Sequence, residues 1–292
     1  MGDIEVRPVT TIEAMQQVEA VQRAIWSNDE HMVIHTHWMV ALAHNGGLVL
    51  GAYDGDRMVG FLVGFLGLEQ PIDSDLPGGK LKHVSKRMGV LPAYQNAGVG
   101  LKLKLAQRDL VRRQGVSLIT WTFDPLRSRN AHFNLRKLGA VTHQYIRDYY
   151  GELHDLQNGG APTDRVIAEW WISTERVRQR LSGGRPGLTL QHFISAGAPL
   201  LNPTESGRDG LTRPGEKVMP VACTDRLVVL VEIPNDFGAI LERDHGLASA
   251  WRTHARAVFE PTFAAGYIAT DFVHEVVAGR PRSFYALSLM GV

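Results

Sequence analysis

The chain has 292 residues, 44% of them apolar and 21% charged, a balance that suits a globular protein of one large domain or two ordinary ones. A net charge of +1 argues against a dedicated nucleic-acid binder, and the single cysteine, Cys223, rules out an internal disulfide framework. The opening MGDIEVRPVT has neither the basic start nor the apolar run of a signal peptide, and the longest apolar run, Met58 to Leu68, is too short to span a bilayer. The expectation is a cytoplasmic protein with no membrane and no nucleic-acid partner; a homodimer is left open.

Ile4 to Val9 reads as a first strand. Thr11 to Trp26 carries Ile12, Met15, Val18, Val21 and Ile25 at helical spacing, with Thr10 or Thr11 as cap. A short helix over His37 to His44 is stopped by Asn45-Gly46-Gly47. Leu48 to Tyr53 and Met58 to Leu66 flank Asp54-Gly55-Asp56, a hairpin signal. A Pro/Gly-rich loop then leads into a strand over Leu81 to Val90. Ser117 to Phe123 is a buried-type strand, Arg127 to Leu138 a helix closed by Gly139, and Ala140 to Tyr150 and Val166 to Ile172 two more strands. This order predicts an α/β domain with a mixed sheet. Leu181 to Pro220 shifts to Gly, Pro, Ser and Asn and reads as a connector. A β-α-β-β unit follows: strand Arg226 to Ile233, helix Leu247 to Phe263 kinked or broken near Pro261, and strands Tyr267 to Val273 and Ser283 to Leu289.

Between the strand ending at Val90 and the next helix stands Gln95-Asn96-Ala97-Gly98-Val99-Gly100. A helix starting near Ala97 buries Val99, Leu103, Ala106 and Leu110. Its first N–H groups, together with the positive end of the helix dipole, make a ready anion site. Glycine at 98 and 100 clears the approach of a diphosphate, although packing explains such pairs more often. A Walker loop fails for want of Gly-Lys-Ser/Thr, and a dinucleotide fingerprint would place its glycines earlier.

The run Val90-x-Pro92-x-Tyr94-Gln95-Asn96-x-Gly98-x-Gly100 resembles motif A of the GNAT acyltransferase superfamily, and the likeness covers roughly the first 60% of the chain. The fold it implies is a GNAT-type mixed sheet flanked by helices. Residues 1–182 would be the acyl-CoA-binding domain, 183–219 a connector, and 220–292 a C-terminal β-α-β-β extension, one reading of which is a degenerate half-GNAT packed on the first domain. By that resemblance the backbone of Gln95, Asn96, Ala97, Gly98, Val99 and Gly100 binds the pyrophosphate of acetyl-CoA or another acyl-CoA. Met88, Gly89 and Val90 hold the pantetheine arm and polarise the thioester carbonyl. Asn130 meets the pantetheine amides or caps its helix. The segments Asp124 to Gly139, Tyr149-Tyr150-Gly151, Thr163-Asp164-Arg165 and Ile233 to Phe237 look like a little-characterised GNAT subgroup linked to N-acylation of amino acids, including succinyl transfer.

The implied reaction moves an acetyl (or succinyl) group from a CoA thioester to the amine of a small molecule. It needs a base for the amine, an oxyanion donor and an acid for the thiolate. Many GNAT enzymes place a tyrosine four residues before the helix-ending glycine; here that position is Leu135, with Asn134 beside it. Tyr149, Tyr150 or a water is therefore the candidate acid, unless the thiolate leaves unaided, and Asn134 is kept as a catalytic candidate. His83, aligned by strand alternation with Ser85 and Arg87, is the candidate base, set against an exposed strand histidine. Arg165 is the candidate for a substrate carboxylate, set against an internal salt bridge with Asp164 or Glu169. Asp148 is read as Arg147's neighbour in preference to a base. His31, His35 and His37 invite a metal, but no carboxylate or cysteine signature completes the set, so none is expected. Trp170, Trp171 and Trp251 are expected in core or interface. The rival functions are a noncatalytic acyl-CoA-binding or scaffolding protein of the same fold, and an interaction module worked by the C-terminal unit.

Overall fold

The computed structural model describes residues 3–26, 30, 33–69, 79–151, 162–184 and 187–289. The chain forms two compact units, Met1–Trp121 and Thr122–Val292. Packing therefore divides it between Trp121 and Thr122, while the expected domain boundary stood after residue 182.

In the first unit the elements are β1 (Glu5–Pro8), α1 (Ile12–Trp26), α2 (Thr36–His44), β2 (Leu48–Asp54), β3 (Arg57–Leu68), β4 (Leu81–Val90), a 3-10 turn (Pro92–Tyr94), α3 (Val99–Arg113) and β5 (Leu118–Phe123), which runs across the boundary. The strands lie in the order β1-β2-β3-β4-β5, antiparallel except for the parallel β4–β5 pair. This is the mixed sheet flanked by helices that the sequence predicts. Thr11 Oγ1 accepts the Ala14 N–H at 3.2 Å and caps α1. The β2–β3 hairpin closes over Gly55-Asp56, with Gly55 at φ +60°.

Alternation on β2 and β3 supplies both faces of the sheet. Val49, Tyr53, Phe61 and Val63 pack with Met15, Val18 and Val21 of α1 and Met39 of α2. Leu50, Ala52, Val59 and Leu62 pack with Val99 and Leu103 of α3. Strand β3 is thus covered on both sides, which is why its sequence is an apolar run and does not alternate.

The second unit continues with a short α-helical turn, α4 (Ser128–Ala131), that runs on as a π-helix (His132–Lys137). Then come β6 (Tyr145–Ile146), β7 (Arg165–Trp171), α5 (Glu175–Ser182), α6 (Leu190–Ser195), β8 (Thr204–Ser206), β9 (Thr212–Pro214), a 3-10 turn (Val221–Cys223), β10 (Val228–Ile233), α7 (Phe237–Arg243), α8 (His245–Ala264), β11 (Ile268–Val277) and β12 (Arg280–Ser288). The final strands form an antiparallel sheet in the order β10-β12-β11. Residues 141 and 142 stitch that sheet to β7. Val141 and Glu169 exchange N–H···O bonds of 2.9 and 2.8 Å, and Thr142 and Ala269 exchange bonds of 3.1 and 2.8 Å.

One face of the last sheet meets α6 through Leu190 and Phe193 against Leu230, Phe284 and Ala286. From its other face Tyr285 meets Phe259 of α8 edge-on at 5.1 Å. Charge completes the unit. Arg252 holds Asp124 with two bonds of 2.6 and 2.5 Å, both side chains being buried. Asp271 takes Arg136 at 2.8 Å and Arg180 at 2.6 Å, and Tyr285 donates its hydroxyl to the Pro125 carbonyl at 2.7 Å.

Several local expectations need correction. The strand proposed for Ala140 to Tyr150 shrinks to Tyr145–Ile146, because Asp148 turns the chain at φ +45°. The helix over Arg127 to Leu138 is half π-helix, with Leu138 N–H reaching Phe133 O. Helix α8 runs through Pro261 to Ala264, and α5, α6, α7 and the β8–β9 hairpin lie in stretches read as loop or connector. Trp170 and Trp251 are fully buried, whereas Trp171 is exposed.

Candidate functional site

Strand β4 is the key to the first unit. Opposite β3, Val63 pairs with Arg87 but Gly64 pairs with Ser85, so Lys86 is an extra residue, a β-bulge. The bulge breaks the alternation that was to align His83, Ser85 and Arg87. Ser85 faces α3, where Lys104 reaches it, whereas Arg87 lies over the Trp26 ring of α1 at 4.9 Å. The bulge also changes the other edge. Strand β4 pairs with β5 only at His83↔Ile119 and Val84↔Thr120. Beyond Val84 the pair opens, so Met88, Gly89 and Val90 have β3 on one side and, among the described residues, no paired strand on the other. Such an edge can take an extended chain of amides. Gly89 itself is a packing residue. A Cβ there would lie 2.7 Å from Ile25 Cδ1, 2.8 Å from Phe61 and 2.9 Å from Trp26. Gly89→Val should cost about 1–3 kcal/mol in a denaturant melt by overpacking; an unchanged midpoint would contradict this contact.

After Val90 the chain turns sharply. The Leu91 N–H bonds to Val59 O at 2.9 Å, Pro92 opens the 3-10 turn, and Tyr94 Oη donates to Asp54 Oδ2 at 3.0 Å. Asn96 at φ +64° and Gly98 at φ +80° then put two left-handed residues just before α3. Alternating handedness of this kind makes a concave nest of N–H groups. Helix α3 has no side-chain cap and no acidic residue in its first turn. Among the described residues, no acceptor takes the N–H of Ala97, Gly98, Val99 or Gly100. Val99, fully buried, anchors this turn against the sheet. A Cβ on Gly98 would meet nothing within 4 Å, so glycine is needed there for its backbone and leaves the mouth open.

His83 is buried, and among the described residues neither ring nitrogen has a hydrogen-bond partner. A Cβ on Gly64 would lie 2.4 Å from its Nε2. It is thus neither the exposed strand histidine nor a base open to an incoming amine. Burial first, and the Lys104 charge second, lower its pKa to about 4. An unfolded histidine titrates near 6.5, so in falling pH the unfolded chain takes up a proton that the folded one refuses. His83 therefore withdraws stability as pH drops from about 6.5 to about 4, by up to about 3 kcal/mol. Thermal unfolding of His83→Phe should lose that slope in this window; an unchanged slope would contradict a buried neutral ring.

Lys104, which periodicity did not single out, is the charged side chain that acts on this histidine. Lys104 is buried, donates to Ser85 Oγ at 2.9 Å and Gln107 Oε1 at 3.2 Å, and stands 3.7 Å above the Trp121 ring. Among the described residues no carboxylate pairs with it, and burial drives its pKa well below the ordinary lysine value.

The other candidates belong to the second unit. Asn130 is exposed and stands third in α4; the cap is Arg127, so the capping alternative for Asn130 falls. Asn134 is buried in the π-turn, where its carbonyl accepts from Ala140 N–H at 3.0 Å, and Leu135 is wholly buried. Tyr149 is 44% exposed, edge-on to Tyr150 at 4.7 Å. Partial burial, then Tyr150, raises its pKa, so the phenol keeps its proton at neutral pH. Tyr150 Oη shares a 3.0 Å bond with Thr122 Oγ1.

Arg165 donates to Asp164 O at 2.9 Å and lies over the Tyr150 ring at 5.4 Å. The Asp164 carboxylate is held by Arg256 and Tyr145, each at 2.7 Å, which replaces the Asp164 pairing set against Arg165's substrate role. Asp148 is not tied to Arg147, which pairs with Glu260; it accepts from Thr163 N–H at 3.2 Å. His35 and His37 stack at 5.9 Å, His31 lies outside the described residues, and among the described residues no three metal-ligating side chains gather. No helix among them is long and apolar enough to cross a membrane.

An opened β4 edge leads through a proline turn into the bare amino end of α3, at the positions of the motif. These are the elements, in the order, that the resemblance to motif A predicts. No family model and no curated protein matches the chain. Solved structures to which it is similar include the ribosomal-protein-S18-alanine N-acetyltransferase from Escherichia coli (14% identity over 59% of this chain and 96% of that one, TM-score 0.45). An N-acetyltransferase from Staphylococcus aureus is 13% identical over 59% of this chain and 100% of that one, with a TM-score of 0.46. Arabidopsis thaliana NAA60, solved in complex with acetyl-CoA, is 12% identical over 58% and 99%, with a TM-score of 0.45. At this distance the likeness adds nothing to the chemistry, which has to come from the chain's own residues.

Proposed function

We propose that the chain is an acyl-CoA-dependent N-acyltransferase that moves an acetyl or succinyl group to the amine of a small molecule, an amino acid being the suggested acceptor. The observation that carries this is the set of N–H groups from Ala97 to Gly100, unclaimed among the described residues, one proline turn beyond a β4 edge that no described strand pairs. The diphosphate of CoA docks on the nest and the α3 dipole. The pantetheine amides add to the backbone edge of Met88 to Val90, and a free N–H of that edge polarises the thioester carbonyl. The bound amine attacks directly, both substrates being held at once. Leu135, being apolar and buried, offers no proton to the departing thiolate.

Titration calorimetry with acetyl-CoA and succinyl-CoA, followed by CoA release across a panel of D- and L-amino acids, tests the reading. Binding with release supports it, and a folded protein that binds neither thioester refutes it. Leu135 also favours a second reading, a noncatalytic acyl-CoA binder of the same fold. Binding without release for any amine would select that one.

A further inference from the structure

The reaction proposed above lacks a base and an acid, and the first unit holds two buried polar side chains placed to serve as both. Ser85 is the first β4 residue beyond the ladder with β5, and Trp121 is the first β5 residue beyond it. Both therefore mark the point where the strands part. Lys104 rises from α3 beneath that point, 2.9 Å from Ser85 Oγ and 3.7 Å from the Trp121 ring. His83 is the titratable group set against it from β4, while β5 presents Trp121 and α3 itself presents Gln107, whose Nε2 has no partner among the described residues.

We propose that Ser85 and Lys104 form a proton relay that first takes the proton of the attacking amine and then returns it to the CoA thiolate. The inference rests on the acyl-CoA reading. As the amine nitrogen bonds to the thioester carbon, its proton passes to Ser85 Oγ while the serine proton passes to Lys104 Nζ. The C–S bond then breaks, and the sulfur takes a proton from Ser85 as Lys104 gives its own back. No proton is gained or lost by the pair over one turnover, and no tyrosine is needed at position 135. Lys104 can accept a proton because burial, with no carboxylate partner among the described residues, favours its neutral amine. Ser85 is the catalytic residue of the pair; Lys104 acts through it and is a positioning and proton-storing residue.

The test compares Ser85→Ala and Lys104→Met with the natural protein, after circular dichroism and a thermal melt have established that each folds. Acetyl-CoA binding is measured by calorimetry, and CoA release is followed with water and an amine panel as acceptors between pH 6 and about pH 10. Each variant should bind acetyl-CoA within about threefold of the natural protein, yet lose about 100-fold or more in kcat. The rising limb of kcat with pH should vanish in Lys104→Met, a change that a merely structural lysine would not cause. Folded variants whose kcat stays within about threefold would overturn the relay. So would a natural protein that binds acetyl-CoA but releases CoA to no acceptor. Failure of the natural protein to bind acetyl-CoA would instead bring down the acyl-CoA reading itself.

Discussion

A chain ending at Ser182 is expected to fold no further than the first unit, leaving residues 122–182 open to protease. The truncation strips Arg252 from Asp124, which would remain as a buried carboxylate without its bidentate partner. It removes Asp271 from between Arg136 and Arg180, the Ala269 partner of Thr142, and the Tyr285 hydroxyl from Pro125 O. Breaking a buried ion pair from one side costs about 3–5 kcal/mol, a large part of the stability of an ordinary domain. Arg252→Met, with the chain otherwise intact, should alone lower the unfolding free energy by about that amount. Burial opposes ionisation of Asp124, but the Arg252 charge and hydrogen bonds outweigh it and hold the carboxyl pKa below its ordinary value. Part of the deficit should therefore be recovered in Arg252→Met by Asp124→Asn, which removes the stranded charge. A soluble, protease-resistant 1–182 fragment with a cooperative melt would contradict this and leave the last third of the chain free for another task.

Gly98→Asp is expected to weaken acetyl-CoA binding by at least ~100-fold. Two charges 4 Å apart interact by about 4 kcal/mol at the effective dielectric of a protein surface, and the diphosphate would carry the same sign as the new carboxylate. The backbone at φ +80° also penalises any side chain by about 1–2 kcal/mol, although nothing lies within 4 Å of a Cβ there. Gly98→Ala carries that strain without the charge and separates the two effects. It should melt lower than the natural protein yet lose much less affinity than the aspartate. Equal binding by the aspartate variant and the natural protein would mean that no anion docks at this turn.

The parts legible in the sequence are those governed by short-range rules. The hairpin at Gly55, the cap at Thr11 and the turn from Pro92 to Gly98 follow from residue types that few other conformations accommodate. The two-sided cover of β3 is written in its unbroken apolar run. What escaped depends on register and on distant partners. The bulge at Lys86 has no signature in LKHVSKRMGV, yet it moves Ser85 and Arg87 to opposite faces. Lys104 and Gln107 carry no mark in the sequence, because a buried lysine cannot be foreseen without the serine and tryptophan that receive it. His83 was singled out as a base, a role its tight fit against Gly64 denies, and that fit escapes the sequence because it is made between strands. The Asp124 and Arg252 pair joins residues so far apart in sequence that only the folded unit reveals it.

The amide groups of α3's first turn are the heart of the account, and they can be watched directly. Backbone amide NMR of the full chain, titrated with acetyl-CoA, should move the signals of Ala97, Gly98, Val99 and Gly100 as the cofactor saturates, together with those of Met88 to Val90. The pantetheine fragment without its diphosphate should move only the second group. Saturable binding of acetyl-CoA that leaves the Ala97 to Gly100 signals in place would contradict the account at its base.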